Sequence, residues 1–350
     1  MKSAKAIVFE NVNKIGFGEY EFAVPAPDEV VVETAYSFVS PGTELRVLGG
    51  HYGVDGRFPL VPGYSIVGRV SEVGPEAKGW RVGDWVSGRN PRSLPGIHAQ
   101  WGGHASTHVY STTGEDRPVL LPADCAPLDY VIAETAAISR RGAEAARPQA
   151  GESAVVIGQG LIGAYSTAWL QHFGCRVVVV DLDDSRLERA LRLGASLAVR
   201  ADEPDIIERL QVFLNGGADI VVEASGVRPG VEIAYKLLRR TPQKYSSNYA
   251  VEPIHLHSNN WPRLVMQANY LDEVSHNPHN FTPGEGCVVL SPSDRGIEDR
   301  QRTVEDLRRG HIKSADFIDA VVPVDQAPAA YEALAKKEYF SVVFDWRLNA

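Results

Sequence analysis

The stretch SAVVIGQGLIGAYSTAWLQHFGCRVVVVD, residues 153–181, decides how the rest of the chain is read. Ser153–Ile157 is a short apolar run with the composition of a buried strand. Gly158-Gln159-Gly160-Leu161-Ile162-Gly163 follows, then a helical stretch to His172 that places Ile162, Tyr165, Ala168, Trp169 and Phe173 on one side. Gly174 stands where a helix stops, and a second strand-like run, Arg176–Val180, ends on Asp181. A bare G-x-G-x-x-G says little, but strand, glycine turn, helix, strand and terminal acid together make a dinucleotide-binding fingerprint. Gly158 permits the tight turn, Gly160 lets a pyrophosphate approach the backbone, and Gly163 lets the helix pack closely on the strand. The open N–H groups at the helix start, among them those of Leu161 and Ile162, then face the diphosphate. Asp181 offers a carboxylate to the ribose hydroxyls and repels a 2′-phosphate, so NAD is expected rather than NADP. Arg186 joins the cofactor set because a guanidinium there is able to take such a phosphate.

Outward from this stretch, residues from about 130 to 313 alternate short apolar runs with amphipathic helical ones, the pattern of a parallel sheet covered on both faces. Asp219–Glu223 leads to Ala224-Ser225-Gly226, a small-residue turn at a strand's carboxyl end, which adds Ser225 and Gly226 to the cofactor set. Arg263–Gln267 and Cys287–Leu290 are the next strands, and Ile297–Arg309 is a helix. Upstream, Ala6–Phe9, Glu29–Ala35, Tyr64–Val70 and Asp84–Val86 are β-branched runs separated by Gly and Pro, which predicts a partly antiparallel, barrel-like β domain. Ile318–Trp346 reads strand, helix over Ala327–Lys337, strand. Thr241–Pro262 is irregular and looks inserted. It is expected to form surface or an oligomer contact, since His255 and His257 lack obvious partners for a metal.

The chain has 350 residues, with 35 Lys and Arg against 44 Asp and Glu for a formal net charge of −9. That length predicts two domains. The acidic balance leaves no electrostatic footprint for nucleic acid and is repelled by anionic lipid. No apolar run reaches the roughly 20 residues that a bilayer demands, so the expected partner is a small-molecule substrate. The opening MKSAKAIVFENV lacks the long apolar segment of a secretory signal, so cytoplasmic residence is expected. Cys125, Cys175 and Cys287 are far apart and odd in number, which argues against a disulfide framework or a cysteine zinc knuckle.

The first half carries a series of motifs. Asp28–Glu33 precedes Gly42-Thr43-Glu44, and Pro62-Gly63-Tyr64-Ser65-Ile66-Val67-Gly68 and Val82-Gly83-Asp84-Trp85-Val86 follow. Gly102-Gly103-His104-Ala105 comes next, and Glu134 lies upstream of Gly158. In order, these resemble the strand leading to C-G-[ST]-D, then P-G-H-E-x-x-G, V-G-D-x-V, G-G-x-A-E and the acid of E-P-L-A in the medium-chain dehydrogenase/reductase family, the alcohol, sorbitol and threonine dehydrogenase type. The resemblance covers nearly the whole chain. It implies an α/β fold class: a GroES-like β-barrel catalytic domain, discontinuous over 1–128 and 315–350, plus a Rossmann doubly wound parallel sheet over 129–314 that binds NAD. It also implies a homodimer. Members with catalytic zinc hold it through the cysteine and the His-Glu pair, where this chain has Pro41, Tyr64 and Ser65. Glu134 alone remains, and Arg89–Pro122 has no cysteine for a structural zinc, so no metal is expected. S-P-G-T-E, P-G-Y-x-x-V-G and A-E-T-A are similar to a zinc-lacking branch that includes the chlorophyllide side-chain dehydrogenases.

Without a cation to polarise the substrate oxygen, protein groups must handle the proton. Tyr64 at the vacated histidine position, Thr43 at the family's relay hydroxyl, and Glu134 as base or hydroxyl partner are the expected catalytic residues. Glu44 is expected to be structural, paired with an arginine such as Arg140 or Arg141. His51 and His104, whose imidazoles suit proton and hydrogen-bond chemistry, are expected near substrate. So are Asn269 and Tyr270, which open the segment Ala268–Gly286 at a carboxyl edge, with His276, His279 and Asn280 further along. The expected activity is hydride transfer between NAD and a secondary alcohol or ketone on a polar ring, a sugar or cyclitol. Three alternatives stand beside it: an NAD-retaining epimerase or lyase, an NADPH-dependent quinone or enoyl reductase, and a nucleotide-binding protein without catalysis.

Overall fold

The computed structural model describes residues 3–22, 24–51, 57–240, 261–270, 273, 287–292 and 296–349. They divide into two compact units, Met1–Ala137 with Arg295–Ala350, and Ile138–Asp294. The first opens with β1 (Ser3–Asn11), β2 (Lys14–Glu21), β3 (Glu29–Phe38), α1 (Pro41–Leu48) and β4 (Leu60–Val61). It continues through β5 (Ile66–Val73), β6 (Trp85–Gly88), β7 (His98–Ala99), β8 (Thr107–Ser111) and β9 (Val119–Leu120) to the start of α2 (Ala133–Ala145), a helix whose residues from Ile138 onward belong to the second unit. The second unit supplies β10 (Ser153–Ile157), α3 (Leu161–His172), β11 (Arg176–Asp181), α4 (Asp184–Arg192) and β12 (Leu197–Arg200). Next come α5 (Ile206–Phe213), β13 (Ile220–Glu223), α6 (Arg228–Leu237), β14 (Arg263–Met266) and β15 (Val288–Leu290). The chain then returns through α7 (Ile297–Arg308), β16 (Ala320–Pro323), α8 (Ala327–Ala335) and β17 (Val342–Asp345). Among the described residues, no helix is long and apolar enough to cross a membrane.

In the first unit, a four-stranded sheet has the order β2-β1-β4-β7, and a seven-stranded one runs β16-β17-β3-β5-β6-β9 with β8 also on β3. β3 is the axis: β5, β8 and β17 all pair with it antiparallel, so its Val30, Val31 and Val32 are buried on both faces. Ile7, Phe9, Leu60, Tyr331 and Phe344 fill the core between β1, β4, α8 and β17. Each such side chain contributes about 1.5–3 kcal/mol by leaving water. The return to this unit occurs at Arg295 rather than at 315, so α7 belongs to the β unit and not to the cofactor unit as expected. The reason is a buried charge: Arg300 of α7 pairs with Glu134 at the start of α2. Polar helices such as α7 do not announce a partner so far off in sequence.

In the second unit, the parallel sheet has the order β12-β11-β10-β13-β14-β15. The chain moves outward from β10 on one side and then on the other, leaving a crevice at the carboxyl ends of β10 and β13, where such sheets bind ligands. Val155, Val156 and Val177–Val180 are fully buried, which accounts for unbroken valine runs where an exposed sheet would alternate. The expected one-sided stripe on α3 needs correction. Leu161, Gly163, Ala164, Tyr165, Ser166, Thr167, Trp169 and Leu170 are all buried, whereas Ile162, Ala168 and Phe173 are only partly so. Small residues on the remaining faces let the helix bury most of its circumference.

Candidate cofactor and proton-transfer sites

The glycine turn of the second unit has the geometry its sequence predicts. Gly158 is left-handed, with φ +84°, and a Cβ there would lie 2.7 Å from the nitrogen and Cα of Ser225. A Cβ on Gly163 would lie 1.8 Å from the Gly158 carbonyl oxygen, so only glycine permits this approach of helix and turn. A Cβ on Gly160 would meet no described atom within 4 Å, which leaves the backbone open where a phosphate would approach. Gly160 is the N-cap of α3 and provides no side-chain cap, so the first N–H groups of Leu161 and Ile162 face outward from the helix start. Asp181 closes the other side. Its Oδ2 accepts the Gln159 N–H at 2.5 Å, and its Oδ1 accepts those of Leu182 and Asp183 at 2.8 and 2.9 Å. Asp183 caps α4 by accepting from the N–H of Ser185 and Arg186, and the Ser185 hydroxyl holds its carboxyl below the usual range. Arg186 is therefore placed on the first turn of α4, half-buried. A further basic residue, Arg200, pairs in register with Asp181 across β11 and β12. Its guanidinium is already clamped by Asp184 at 2.8 Å and Asp202 at 2.9 Å.

At the end of β13, the buried Glu223 carboxylate gathers the following turn. Oε1 accepts the Ser225 N–H at 2.9 Å and the Ser225 hydroxyl, and Oε2 accepts the Gly226 N–H at 3.3 Å and the Tyr270 hydroxyl. Burial, and then this carboxylate, push the Tyr270 phenol strongly up, so it stays a proton donor. Tyr270, expected near substrate, gives its hydroxyl to Glu223. Asn269 is exposed. Thr241–Asn260, with His255 and His257, and His276, His279 and Asn280 lie outside the described residues.

In the first unit, Tyr64 is 7% exposed and its hydroxyl donates to Ser40 Oγ at 2.6 Å. Its ring meets Trp101 edge-on, with centroids 5.1 Å apart. Trp101 has φ +68°, a conformation costly for a bulky residue, and Gly102 follows at φ +73°. Neither Ser40 nor Trp101 was picked from sequence, although S-P at a helix start and W-G-G were visible signals. Ser40 also connects to a buried network: its N–H donates to Glu44 Oε1 at 2.7 Å. Glu44 Oε2 lies 2.8 Å from His104 Nε2 and accepts from the Tyr331 hydroxyl at 2.5 Å. His104 Nδ1 lies 2.8 Å from Ser37 Oγ, which also accepts from Trp346 Nε1 at 2.8 Å. His104, expected near substrate, is fully buried and packed edge-on against Phe344. Glu44 pairs with His104 and Tyr331 rather than with Arg140 or Arg141; Arg140 takes Glu144, one helical turn away, at 2.5 Å.

Glu134 is fully buried, as is its partner. Arg300 Nε donates to Glu134 Oε1 at 2.7 Å, and Ser87 Oγ donates to the same oxygen at 3.3 Å. Arg300 Nη1 donates to the carbonyls of Glu115 and Arg117 at 2.9 and 3.0 Å. A carboxylate held this way has its charge matched by a guanidinium rather than by water. Thr43 lies half-buried in the first turn of α1, and His51 is exposed just past its end.

Comparison with known proteins agrees with this architecture. The family pattern described as alcohol dehydrogenase GroES-like domain matches residues 26–114, and the one described as zinc-binding dehydrogenase matches 162–242. The chain is 27% identical to a sorbitol dehydrogenase of Halalkalibacterium halodurans over 63% of this chain and 68% of that protein. The chain belongs to the medium-chain, alcohol-dehydrogenase-like family of oxidoreductases. It is also 33% identical to an L-threonine 3-dehydrogenase of Anaeromyxobacter over 48% of this chain, spanning about half (53%) of that protein. Among solved structures, 2R,3R-butanediol dehydrogenase of Bacillus subtilis superposes with a TM-score of 0.80 at 17% identity, over 98% of this chain and 99% of that one.

As a member of this dehydrogenase family, the chain departs from the zinc-ligand pattern in its chemistry as well as its letters. Pro41 is the first residue of α1 and has no ligand atom. Tyr64 donates to Ser40, Ser65 Oγ donates to the Val131 carbonyl at 2.7 Å, and Glu134 is bound to Arg300. This donor set does not fit the tetrahedral nitrogen, sulfur and carboxylate shell that zinc takes in proteins.

Proposed function

We propose that this dehydrogenase works with NAD and without zinc, moving a hydride between the nicotinamide and a secondary alcohol or ketone on a polar ring such as a sugar or cyclitol. One observation carries the reading: of the positions where zinc-bearing relatives place a ligand, Pro41 has no ligand atom, and the side chains of Tyr64, Ser65 and Glu134 are engaged by the protein itself, the acid by a guanidinium. The Asp181 carboxylate, anchored on the glycine turn, supports NAD over NADP because a 2′-phosphate there would meet like charge. Arg200 does not reverse this, since two carboxylates already neutralise it. The likeness to the chlorophyllide side-chain dehydrogenase branch belongs to the same proposal.

In oxidation, the hydride leaves the carbinol carbon for the nicotinamide and the hydroxyl proton must go to the protein. Tyr64, as the phenolate, is the proposed acceptor, and in reduction its phenol form is the donor to the carbonyl oxygen. Ser40 supports either state: it accepts from the phenol as seen, and by turning its hydroxyl it would donate to a phenolate. Thr43, in the adjoining helical turn, is proposed as the second hydroxyl beside the substrate oxygen. The assay is absorbance at 340 nm with NAD and a panel of sugars, polyols and cyclitols. One NADH per ketone formed is expected, and Tyr64→Phe is expected to lower turnover by about 10²–10⁴-fold. Turnover with no net NADH would turn the reading into an internally recycled NAD. Unchanged turnover in Tyr64→Phe would remove the proton assignment.

A further inference from the structure

The doubly wound sheet divides a bound dinucleotide between two halves: β10, β11 and β12 serve one nucleotide and β13, β14 and β15 the other. Asp181 lies at the end of β11, in the half that takes the adenosine ribose. Glu223 lies at the end of β13, the first strand of the nicotinamide half. We propose that Glu223 and Tyr270 form a latch that fixes the Ser225-Gly226 turn for the nicotinamide end of the cofactor; this rests on the NAD reading above. The two are positioning residues, acting through the turn.

Four donors converge on one buried carboxylate: two backbone N–H groups, a serine hydroxyl and a phenol. An ionised carboxylate out of water requires such a set, and three of the four come from the turn itself. Tyr270 alone arrives from another strand end, beyond β14, so it ties the turn to its neighbour in the sheet. α6 is shaped to the same cluster. A Cβ on Gly230 would lie 2.2 Å from Ser225 Oγ and 2.7 Å from Glu223 Oε1, so glycine lets the helix close over the pair. The turn in turn touches the glycine loop, since a Cβ on Gly158 would strike Ser225. A latch of this kind moves the nicotinamide half and leaves the adenosine half alone.

The test uses the full chain and two probes, NADH followed by its fluorescence and AMP by competition. Tyr270→Phe removes only the phenol hydroxyl, and Gly230→Ala presses the cluster from the helix side. Each is expected to weaken NADH binding by about tenfold while AMP binding stays within about twofold. Equal weakening of both probes would mean general damage to the unit and would overturn the latch. Unchanged NADH binding in both variants would overturn it as well, while leaving the NAD reading in place. No NADH binding by the unaltered chain would overturn both.

Discussion

At Glu134, two residues 166 positions apart in sequence share one buried charge pair. Removing one partner leaves the other charged and out of water, which costs far more than the pair contributes. Glu134→Gln is therefore expected to lower unfolding free energy by about 3–5 kcal/mol, read from urea denaturation. A loss under 1 kcal/mol would show that Arg300 is solvated after all. His108 makes a second residue-scale prediction. Burial in the β core pushes its pKa down to about 3, with the His104 ring a smaller cause. The folded state thus refuses a proton that the unfolded chain accepts near pH 6.5. Stability should be level above that pH and fall as pH drops toward 3, with a slope approaching about 1.4 kcal/mol per unit from this one group. His108→Gln should flatten that acid limb, as measured by urea midpoints at neutral and mildly acid pH. An unchanged limb would place the titration elsewhere. Single-residue roles were the least legible part of the sequence: Glu134, Glu44, His104 and Tyr270 were recognisable as chemistry, but their partners lie on distant strands and helices. A carboxylate facing an arginine and one facing a substrate have the same letters around them.

The β10–α3–β11 element was legible because its constraints are local. Each glycine of the turn answers to a clash or an opening within a few residues, and the structure separates those roles. Gly160→Ala should fold and melt as the parent does, because a methyl group there has room and φ is −65°. It should nevertheless lose about tenfold or more in NADH affinity, because the methyl group stands where a pyrophosphate would lie. Gly163→Ala should lose both stability and affinity, because its methyl group would drive into the Gly158 carbonyl. If thermal melting and NADH titration show the two variants behaving alike, the assignment of separate roles is wrong. Helix faces were harder to foresee than glycine turns. α3 buries small polar and apolar residues alike, and apolar spacing alone marks only the large ones.

Across the whole chain, the alternation of strand-rich and strand–helix text corresponds to the two units, and the sheet order of the second follows from it. The return point was misplaced because α7 looks like another helix of the alternating half, while its arginine belongs to the β unit. The same long-range pair links fold to chemistry: the guanidinium that ties α7 to α2 also occupies the acid that zinc-bearing relatives use. The proposed zinc-free chemistry depends on that exchange. Its most direct test is NAD reduction at 340 nm, on the best substrate of the polyol panel, by protein stripped with a strong chelator and dialysed. Undiminished turnover by the stripped protein, with no gain on adding zinc, is the predicted result. Turnover that disappears with the metal and returns with one zinc per chain would contradict it.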